Sequence, residues 1–433
     1  MNKKRSAFSG KIGYVLSAAG ASVGLGNIWR FPYLAAKYGG GIFLLVYIIL
    51  ALTFGYTMIV AESALGRMTR KSPVGAFRSF AKGKKVGWLS FGGWINAIIP
   101  VLIVPYYSVI GGWVVKYLFE YIRGNGSKLA EDGYFSGFIS NGGATEICFV
   151  IFCMFTLVII YAGVQNGIER VSKIMMPILI VLSVIIAIYS VTRPGAIEGV
   201  KYFLVPNVKN FSWMTVVAAM GQMFYSLSIA MGILVTFGSY MRKDTSIEDS
   251  TRNVEIFDTA IAMMAGLMII PAVFAFSGGD PDTLQAGPSL MFITIPKVFA
   301  NMGFGTAVGI LFFVLVLFAA VTSSIALTES AVSTFEDELG WGRKKATVLT
   351  GVIMIALGTL SCLGYGPLDF VKIIGMQFLD FFDFLTNSVM MPIAALMTSL
   401  LVSRVIGVDK IEEEIRHGES AFRRKKIFVI MIK

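Results

Sequence analysis

The stretch that determines the fold of this chain is GASVGLGNIWRFPY, residues 20–33. It lies inside a long apolar segment, yet it carries three glycines, Gly20, Gly24 and Gly26. Glycine weakens the interior of a helix because it loses the most backbone freedom when the chain folds. The stretch therefore predicts a helix that is interrupted inside the segment. Taken alone, the glycines leave open a second explanation, a face of small residues for close helix packing.

The composition of the surrounding chain is that of an integral membrane protein. Of its 433 residues, 56% are hydrophobic and only 15% are charged, whereas about a quarter of the residues in a soluble protein are charged. Lipid offers no partners to backbone groups, so segments of roughly 20 apolar residues are expected to cross the membrane as helices. We predict ten full spans, numbered here in chain order: 11–36, 41–65, 89–121, 146–162, 168–191, 213–238, 256–276, 306–335, 346–363 and 376–402.

Span 6 carries an interruption similar to that of span 1, with Ser226, Ser228 and Gly232 in an otherwise apolar segment. Serine competes with the helix for backbone hydrogen bonds, and glycine lowers helix stability. Both spans therefore predict a break, and each would begin one half of the chain.

The spans predict a single all-α transmembrane domain, residues 1–433, built from two five-helix repeats. The first repeat covers residues 1–191 and the second covers residues 213–402. Because each repeat has an odd number of spans, the two run in opposite directions, which is the inverted-repeat plan of secondary transporters. Residues 403–433 are predicted to form a cytoplasmic tail and the truncated start of an eleventh helix.

The net charge of +11 reports on topology. The basic residues gather in alternate loops, and an excess of Lys and Arg marks the cytoplasmic side of a membrane. We therefore predict a multi-pass protein of the plasma (inner) membrane with a cytoplasmic N-terminus, in contact with lipid and not with nucleic acid. One histidine, His417, and three scattered cysteines suggest no metal cluster or catalytic triad. No enzyme activity and no cofactor are predicted, and the oligomeric state is left open.

The stretch 20–33 closely resembles the first-helix signature of the neurotransmitter:sodium symporter family. Further matches follow in the family's order along the ten spans: Gly39-Gly40-Gly41, Glu62 to Arg67, Gly221 to Ser228, Thr322-Ser323-Ser324 and Phe335 to Glu338. The resemblance is to the bacterial amino-acid branch with the leucine-transporter fold, near the tyrosine and tryptophan transporters. It implies a symporter that takes up amino acids with sodium as the coupling ion. A sodium-dependent sensor on the same fold, which binds without transporting, stays open as the alternative.

A zwitterionic ligand needs amide donors for its carboxylate and oxygen acceptors for its ammonium group. Unwound helices supply both without an ionised side chain in the membrane. The amides of Gly24, Leu25 and Gly26 would bind the carboxylate, helped by Tyr107. The acceptors for the ammonium group would be carbonyls near Ser22, Tyr225 and Ser226 and the side chain of Ser228. Amine transporters of the family carry an aspartate at the position of Gly24, so the glycine favours an amino acid.

The subsite for the substrate side chain is expected to be mostly apolar. Ala230 is small and Met231 is flexible, at positions where a bulky residue would limit the size of the substrate. The subsite therefore predicts large hydrophobic or aromatic L-amino acids as substrates. The expected lining residues are Ile103, Tyr107, Tyr225, Ala230, Met231, Ser323 and Leu327.

Sodium is expected to take five or six oxygen ligands, by analogy with other hard cations. The family's first sodium site maps to Ser22, Asn27, Ser226 and Asp258, and its second maps to Gly20, Val23, Ala319, Thr322 and Ser323. From the residues alone, Thr322 and Ser323 are also explained as polar contacts between helices.

Asp258 departs from the asparagine that the family usually carries at its position. A charge inside a span is costly and usually functional. We predict that Asp258 binds sodium and also supplies the negative charge that chloride provides in animal relatives, so that transport needs no chloride. The alternative is an acid that simply lies at the cytoplasmic end of span 7.

Two ion pairs are implied as gates by the resemblance. Arg30 and Asp383 match the outer pair, and Arg5 and Asp337 match the inner pair. An exposed ion pair is worth about 0–1 kcal/mol, which suits a latch that must open. Arg5 alone is better explained as a cytoplasmic anchor, and Glu329 has no assigned partner.

Overall fold

The structure is a computed structural model that describes residues 6–81, 87–277 and 288–433. In this part of the chain, eight helices are long and apolar enough to cross a membrane, judged by their length and composition. They correspond to predicted spans 2, 3, 4, 5, 7, 8, 9 and 10, in order: Gly41–Thr69, Gly87–Ile122, Gly142–Tyr161, Val164–Val191, Ile247–Ser277, Gly305–Leu339, Arg343–Leu363 and Phe378–Ile406.

The two remaining predicted spans are both interrupted. Span 1 consists of the helix Lys11–Ser22 and a second helix that starts at Gly26 and ends at Lys37. Span 6 consists of the helices Trp213–Ser226 and Ile233–Tyr240. The breaks predicted at the glycines and serines are therefore present in the structure.

Shorter helices connect the spans. Their bounds are Pro73–Ala81, Gly126–Leu129, Tyr134–Ser140, Ala196–Leu204, Leu290–Ala300, Val408–Arg416 and Lys425–Ile432. Span 7 begins at Ile247 rather than at residue 256. This start was not predicted because the first turns of the helix are polar. Their acidic side chains are paired with residues near the end of the chain, as in the ion pair of Glu255 with Arg424.

The helices pack closely where small residues allow it. A Cβ atom added at Gly112 of span 3 would lie 2.6 Å from the backbone nitrogen of Phe149 in span 4. Close backbone approach of this kind is the usual basis of helix association in lipid. The opposite face of span 4 exposes Ile147, Ile151 and Val158, spaced at helical intervals, as expected for a surface that contacts lipid.

Candidate substrate and sodium site

The break in span 1 leaves backbone amides outside the helical pattern. Val23 is extended, with φ −79° and ψ 97°, and the next helix begins at Gly26. The Gly24 amide donates to Oδ1 of Asn27 at 3.1 Å, and the Leu25 amide donates to the Tyr107 hydroxyl at 3.2 Å. The predicted carboxylate donors are therefore grouped beside Tyr107.

The break in span 6 is made of residues with left-handed backbone conformations. Ser228 has φ 54°, Ala230 has φ 60° and Gly232 has φ 69°. Such a conformation costs of order 1–3 kcal/mol in a residue other than glycine and persists only when its surroundings hold it. The Ala230 amide donates to Oε1 of the fully buried Glu62 at 2.8 Å, and the Ser228 hydroxyl donates to the Ala21 carbonyl at 3.0 Å. The second bond joins the two breaks directly.

A small closed cavity lies between the two breaks. Its water-accessible volume is about 20 Å³, little more than one buried water occupies. An amino acid can enter only if the surrounding side chains move. The lining residues are Ala21, Ser22, Gly24, Leu25, Gly26, Asn27, Ile103, Tyr107, Tyr225, Ser228, Met231, Ile233, Ser323 and Leu327.

Two predicted substrate residues, Ser226 and Ala230, are not among those that line this cavity. The Ser226 hydroxyl is directed to Asp258, and the Ala230 amide binds Glu62. Ile233 takes a lining position that the sequence reasoning missed. The signal for it was present, since the chain resumes its helix at Ile233 directly after the break.

Tyr107 and Tyr225 border the cavity, and Tyr225 packs tightly against the break in span 1. A Cβ atom at Gly26 would lie 2.5 Å from the Tyr225 ring, and one at Gly24 would lie 2.6 Å from the Ser323 hydroxyl. Both glycines therefore allow approaches that any larger residue would block.

Asp258 is fully buried and accepts three hydrogen bonds from neutral side chains. Tyr47 donates at 2.5 Å, Ser226 at 2.6 Å and Asn27 at 2.7 Å. We call these four residues the Asp258 cluster. Within the described residues no Lys, Arg or His lies within ion-pair distance of Asp258. A buried carboxylate without a cation is unfavourable, so Asp258 is either protonated or paired with a bound cation. Tyr47 was missed from the sequence, although a buried tyrosine hydroxyl is expected to have a partner.

The second predicted sodium residues meet where span 1 packs on span 8. The Ser323 hydroxyl lies 3.3, 3.1 and 3.3 Å from the carbonyl oxygens of Gly20, Ala21 and Val23. One hydroxyl proton can serve only one of these three oxygens. The Thr322 hydroxyl lies 3.2 Å from the Ala319 carbonyl. We call these residues the Ser323 cluster. The structure brings all five residues of the predicted second sodium site together here, and oxygen ligands of this kind suit a hard cation; the site itself stays a prediction.

Ser22, the remaining residue of the predicted first sodium site, ends the first helix of span 1, and its hydroxyl donates to the Ala18 carbonyl at 3.1 Å. Its hydroxyl is thus directed back along the helix. A role for Ser22 at the site rests on its carbonyl group.

On the outer side, Arg30 and Asp383 line one vestibule of about 320 Å³. The guanidinium of Arg30 lies over the Tyr225 ring, 5.2 Å from its centroid. Asp383 accepts from Asn387 at 2.6 Å and from the Tyr106 hydroxyl at 3.2 Å. Within the described residues the two side chains make no direct ion pair, but they face the same vestibule and their charges interact through space. Their role as the outer gate stays a prediction.

On the inner side, Asp337 accepts a hydrogen bond from the Ser72 amide at 2.6 Å. Arg5, its predicted partner, lies outside the described residues. Glu329 is fully buried and is bound by Arg343 at 2.5 Å and by the Tyr240 hydroxyl at 2.7 Å. No partner for Glu329 was predicted from the sequence, and Arg343 was not predicted to lie near it. A basic residue at the start of span 9 was the available signal for this ion pair.

Two broken helices that face each other, a closed cavity between them and oxygen-rich clusters beside it define an ion-coupled secondary transporter. Comparison with known proteins agrees with this class. The model of the sodium:neurotransmitter symporter family matches residues 5–127 and 134–433. The chain belongs to this family: it is a sodium-dependent symporter with sodium as coupling ion, a multi-pass membrane protein and not an enzyme.

Individual relatives cover nearly the whole chain. The uncharacterized sodium-dependent transporter YhdH of Bacillus subtilis (strain 168) is 36% identical over 417 residues, which are 96% of this chain and 91% of the relative. The human sodium- and chloride-dependent GABA transporter 2 is 26% identical over 469 residues, covering 95% of this chain and 75% of that protein. The crystal structure of MhsT in complex with L-phenylalanine superposes with a TM-score of 0.88 at 36% identity, covering 99% of this chain and 96% of MhsT. The predicted leucine-transporter fold is thereby confirmed.

Proposed function

We propose that this protein takes up large hydrophobic or aromatic L-amino acids together with sodium, by alternating access across the plasma membrane, with its N-terminus in the cytoplasm. The observation that carries the proposal is the cavity between the two breaks. Polar backbone and hydroxyl groups lie along the breaks, the rest of the lining is mostly apolar, and within the described chain no Asp, Glu, Lys or Arg lines it. Such a cavity suits a zwitterionic ligand, which carries one positive and one negative charge of its own.

The substrate carboxylate would bind the amides of Gly24, Leu25 and Gly26. In the closed cavity the Leu25 amide donates to the Tyr107 hydroxyl, and an entering carboxylate would accept from both groups. Hydrogen bonds to an ionised group are about twice as strong as neutral ones, so the exchange is favourable. The ammonium group would lie near the carbonyl groups of the two breaks, where Ser228 already meets Ala21.

The substrate side chain would extend between Ile103, Met231, Ile233 and Leu327, which line the apolar part of the cavity. Methionine adapts its shape to different ligands, so Met231 would move to accommodate a ring. MhsT, which shares the fold at 36% identity, was crystallised with L-phenylalanine. This likeness supports an aromatic substrate.

Sodium would occupy both clusters. In the Asp258 cluster the ion would bind Asn27, Ser226, Asp258 and the Ser22 carbonyl, next to the substrate carboxylate. In the Ser323 cluster the ion would bind the carbonyl oxygens of Gly20, Val23 and Ala319 and the hydroxyl oxygens of Thr322 and Ser323. The Ser323 proton, which now lies near three carbonyls, would turn away from the ion. Because one sodium touches the substrate, each ligand would raise the affinity for the other by the same factor.

Transport would not require chloride. Asp258 supplies a fixed negative charge beside the first sodium, and no described cation neutralises it. The human relative, by contrast, is named a sodium- and chloride-dependent transporter. With sodium and substrate bound, spans 1, 2, 6 and 7 would rock as a bundle against the other spans, while the outer and inner gates exchange roles.

The test is uptake of labelled amino acids into proteoliposomes under an inward sodium gradient, across all twenty amino acids. We expect phenylalanine, tyrosine and tryptophan to compete best and uptake to vanish without the gradient. Equal competition by alanine and tryptophan would contradict the substrate class. Sodium-dependent binding without uptake would instead identify a sensor.

A further inference from the structure

Residues 408–433, which we call the tail, contain the helices Val408–Arg416 and Lys425–Ile432. The two helices are joined by the ion pair of Glu412 with Lys425, at 2.5 Å. The hydrogen bond from Lys425, with further support from Arg416, holds the pKa of the Glu412 carboxyl below its ordinary value. The two helices of the tail are therefore in contact through charged side chains.

The first attachment of the tail is a buried ion pair at the cytoplasmic end of span 2. The side chain of Arg67 is fully buried, and its Nε donates to Oε1 of Glu414 at 2.7 Å. A second nitrogen of Arg67 donates to the Glu414 backbone carbonyl, and a third donates to the Thr245 carbonyl at 2.5 Å. Lys243 binds the other Glu414 oxygen at 2.7 Å. Glu414 therefore joins span 2 to the loop 241–246 between spans 6 and 7.

The second attachment holds the tail on the start of span 7. Both oxygens of Glu248 accept backbone amides of the tail, from Arg423 at 2.7 Å and from Arg424 at 3.0 Å. The guanidinium of Arg424 pairs with the buried Glu255 at 3.1 Å and lies over the ring of Tyr56 in span 2. Buried, hydrogen-bonded charge pairs of this kind are strongly destabilised when one partner is removed.

The attachments of the tail lead to one group of neighbouring elements. In the described chain, the hydrogen bonds and ion pairs that join the tail to the rest of the protein go to span 2, span 7 and the loop 241–246. The tail nevertheless follows span 10 directly, through Gly407. Gly407 has φ 86° and ψ 149°, and no neighbour lies within 4 Å of the place where its Cβ would be. A residue of this kind can absorb a change in backbone angles.

We propose that Glu414 is a positioning residue of the transport cycle: it helps to fasten the tail to span 2, span 7 and the loop 241–246, so that the tail moves with these elements and turns about Gly407 relative to span 10. The inference rests on the rocking bundle of the proposed function. It adds that the chain after span 10 belongs to the moving unit, although it is continuous with a span outside the bundle.

The test is a pair of distance measurements between spin labels on the purified full chain in liposomes. One label replaces the exposed Glu413 of the tail, and the other replaces either Arg252 of span 7 or Lys345 of span 9. Spectra are recorded in potassium alone and in sodium with L-phenylalanine. The background carries alanine at the native cysteines Cys148, Cys153 and Cys362.

We expect the distance from 413 to 252 to stay constant while the distance from 413 to 345 changes between the two conditions. A change in the first distance, or no change in the second, overturns the proposal. Sodium-driven uptake by the same labelled proteins tests the proposed function separately. Uptake that persists while 413 separates from 252 would reject the moving tail and leave the symporter intact.

A second measurement uses Glu414→Gln, which keeps the shape of the side chain and removes its charge. We expect the 413–252 distance distribution to broaden and turnover to fall severalfold, while sodium-dependent binding of phenylalanine at equilibrium is unchanged, which also shows that the variant folds. The control is Glu413→Gln, made without a label, which alters an exposed neighbour. Unchanged turnover in Glu414→Gln, or an equal loss in both variants, would overturn the role of Glu414.

Discussion

The two oxygen-rich clusters beside the helix breaks differ in how they are charged. The Asp258 cluster is built around a buried carboxyl group that accepts hydrogen bonds from three neutral donors. The Ser323 cluster holds no ionised group and relies on backbone carbonyls with two hydroxyls. A carbonyl cluster is polar but neutral, whereas a carboxylate at membrane depth demands a counter-ion. One sodium ion would therefore be bound mainly by a carboxylate, and the other by the arrangement of neutral carbonyl and hydroxyl oxygens.

Removal of the charge should have the largest effect. In Asp258→Asn the side chain keeps an oxygen that can accept from Ser226 and Asn27, but the fixed negative charge is lost. We expect sodium-driven uptake in chloride-free medium to fall by about tenfold or more, a loss of roughly 1.4 kcal/mol or more. Chloride should restore part of the uptake, because an anion can then take the place of the carboxylate. A variant that works as well as the parent without chloride would contradict the assigned role of Asp258.

Removal of one ligand from the neutral cluster should have an intermediate effect. Ser323→Ala deletes the hydroxyl toward which three carbonyls converge. The loss of one buried polar partner is worth about 1–3 kcal/mol, so the sodium concentration for half-maximal uptake should rise by about tenfold, with no dependence on chloride.

The matched control for this variant is Ser324→Ala. The Ser324 hydroxyl accepts from Thr156 of span 4 at 3.3 Å and takes no part in the cluster. Its loss should leave the sodium dependence unchanged. If both serine variants shift the sodium dependence equally, the Ser323 cluster is a packing contact between helices.

Loss of a donor to the charged cluster should have the smallest effect. Tyr47→Phe removes one of the three hydrogen bonds that orient the Asp258 carboxylate. A buried hydrogen bond contributes about 0.5–1.5 kcal/mol, so sodium affinity should fall by about fivefold. Sodium titration of phenylalanine binding measures this. An effect as large as that of Asp258→Asn would mean that Tyr47 itself is a ligand and not a supporting donor.

The residues of the candidate site were predicted from the resemblance of the first-helix stretch and its partners to the symporter family, whereas the glycines of that stretch predicted the helix break itself. There is no room for a Cβ atom at Gly24, beside Ser323, or at Gly26, beside Tyr225. Glycine at these two positions is therefore explained by the close packing. The break in span 1 was predicted from its glycines, and the break in span 6 was predicted from Ser226, Ser228 and Gly232. Neither the composition nor the period of an apolar segment could have located these breaks alone.

Other features could not be predicted, because they depend on partners far away in the chain. Tyr47 meets Asp258 across 211 positions, and Arg67 meets Glu414 across 347. A single sequence shows that each buried polar group needs a partner, but not which residue supplies it. The contacts of the outer-gate residues were likewise not predictable: Arg30 lies over the Tyr225 ring, and Asp383 accepts from two neutral donors.

The central claim is that this symporter is driven by sodium and carries its own anion. The most direct test is the initial rate of phenylalanine uptake into proteoliposomes under an inward sodium gradient, with chloride replaced by gluconate on both sides. We expect the same rate in chloride and in gluconate, and no uptake when sodium is replaced by potassium. Uptake that disappears in gluconate would contradict it.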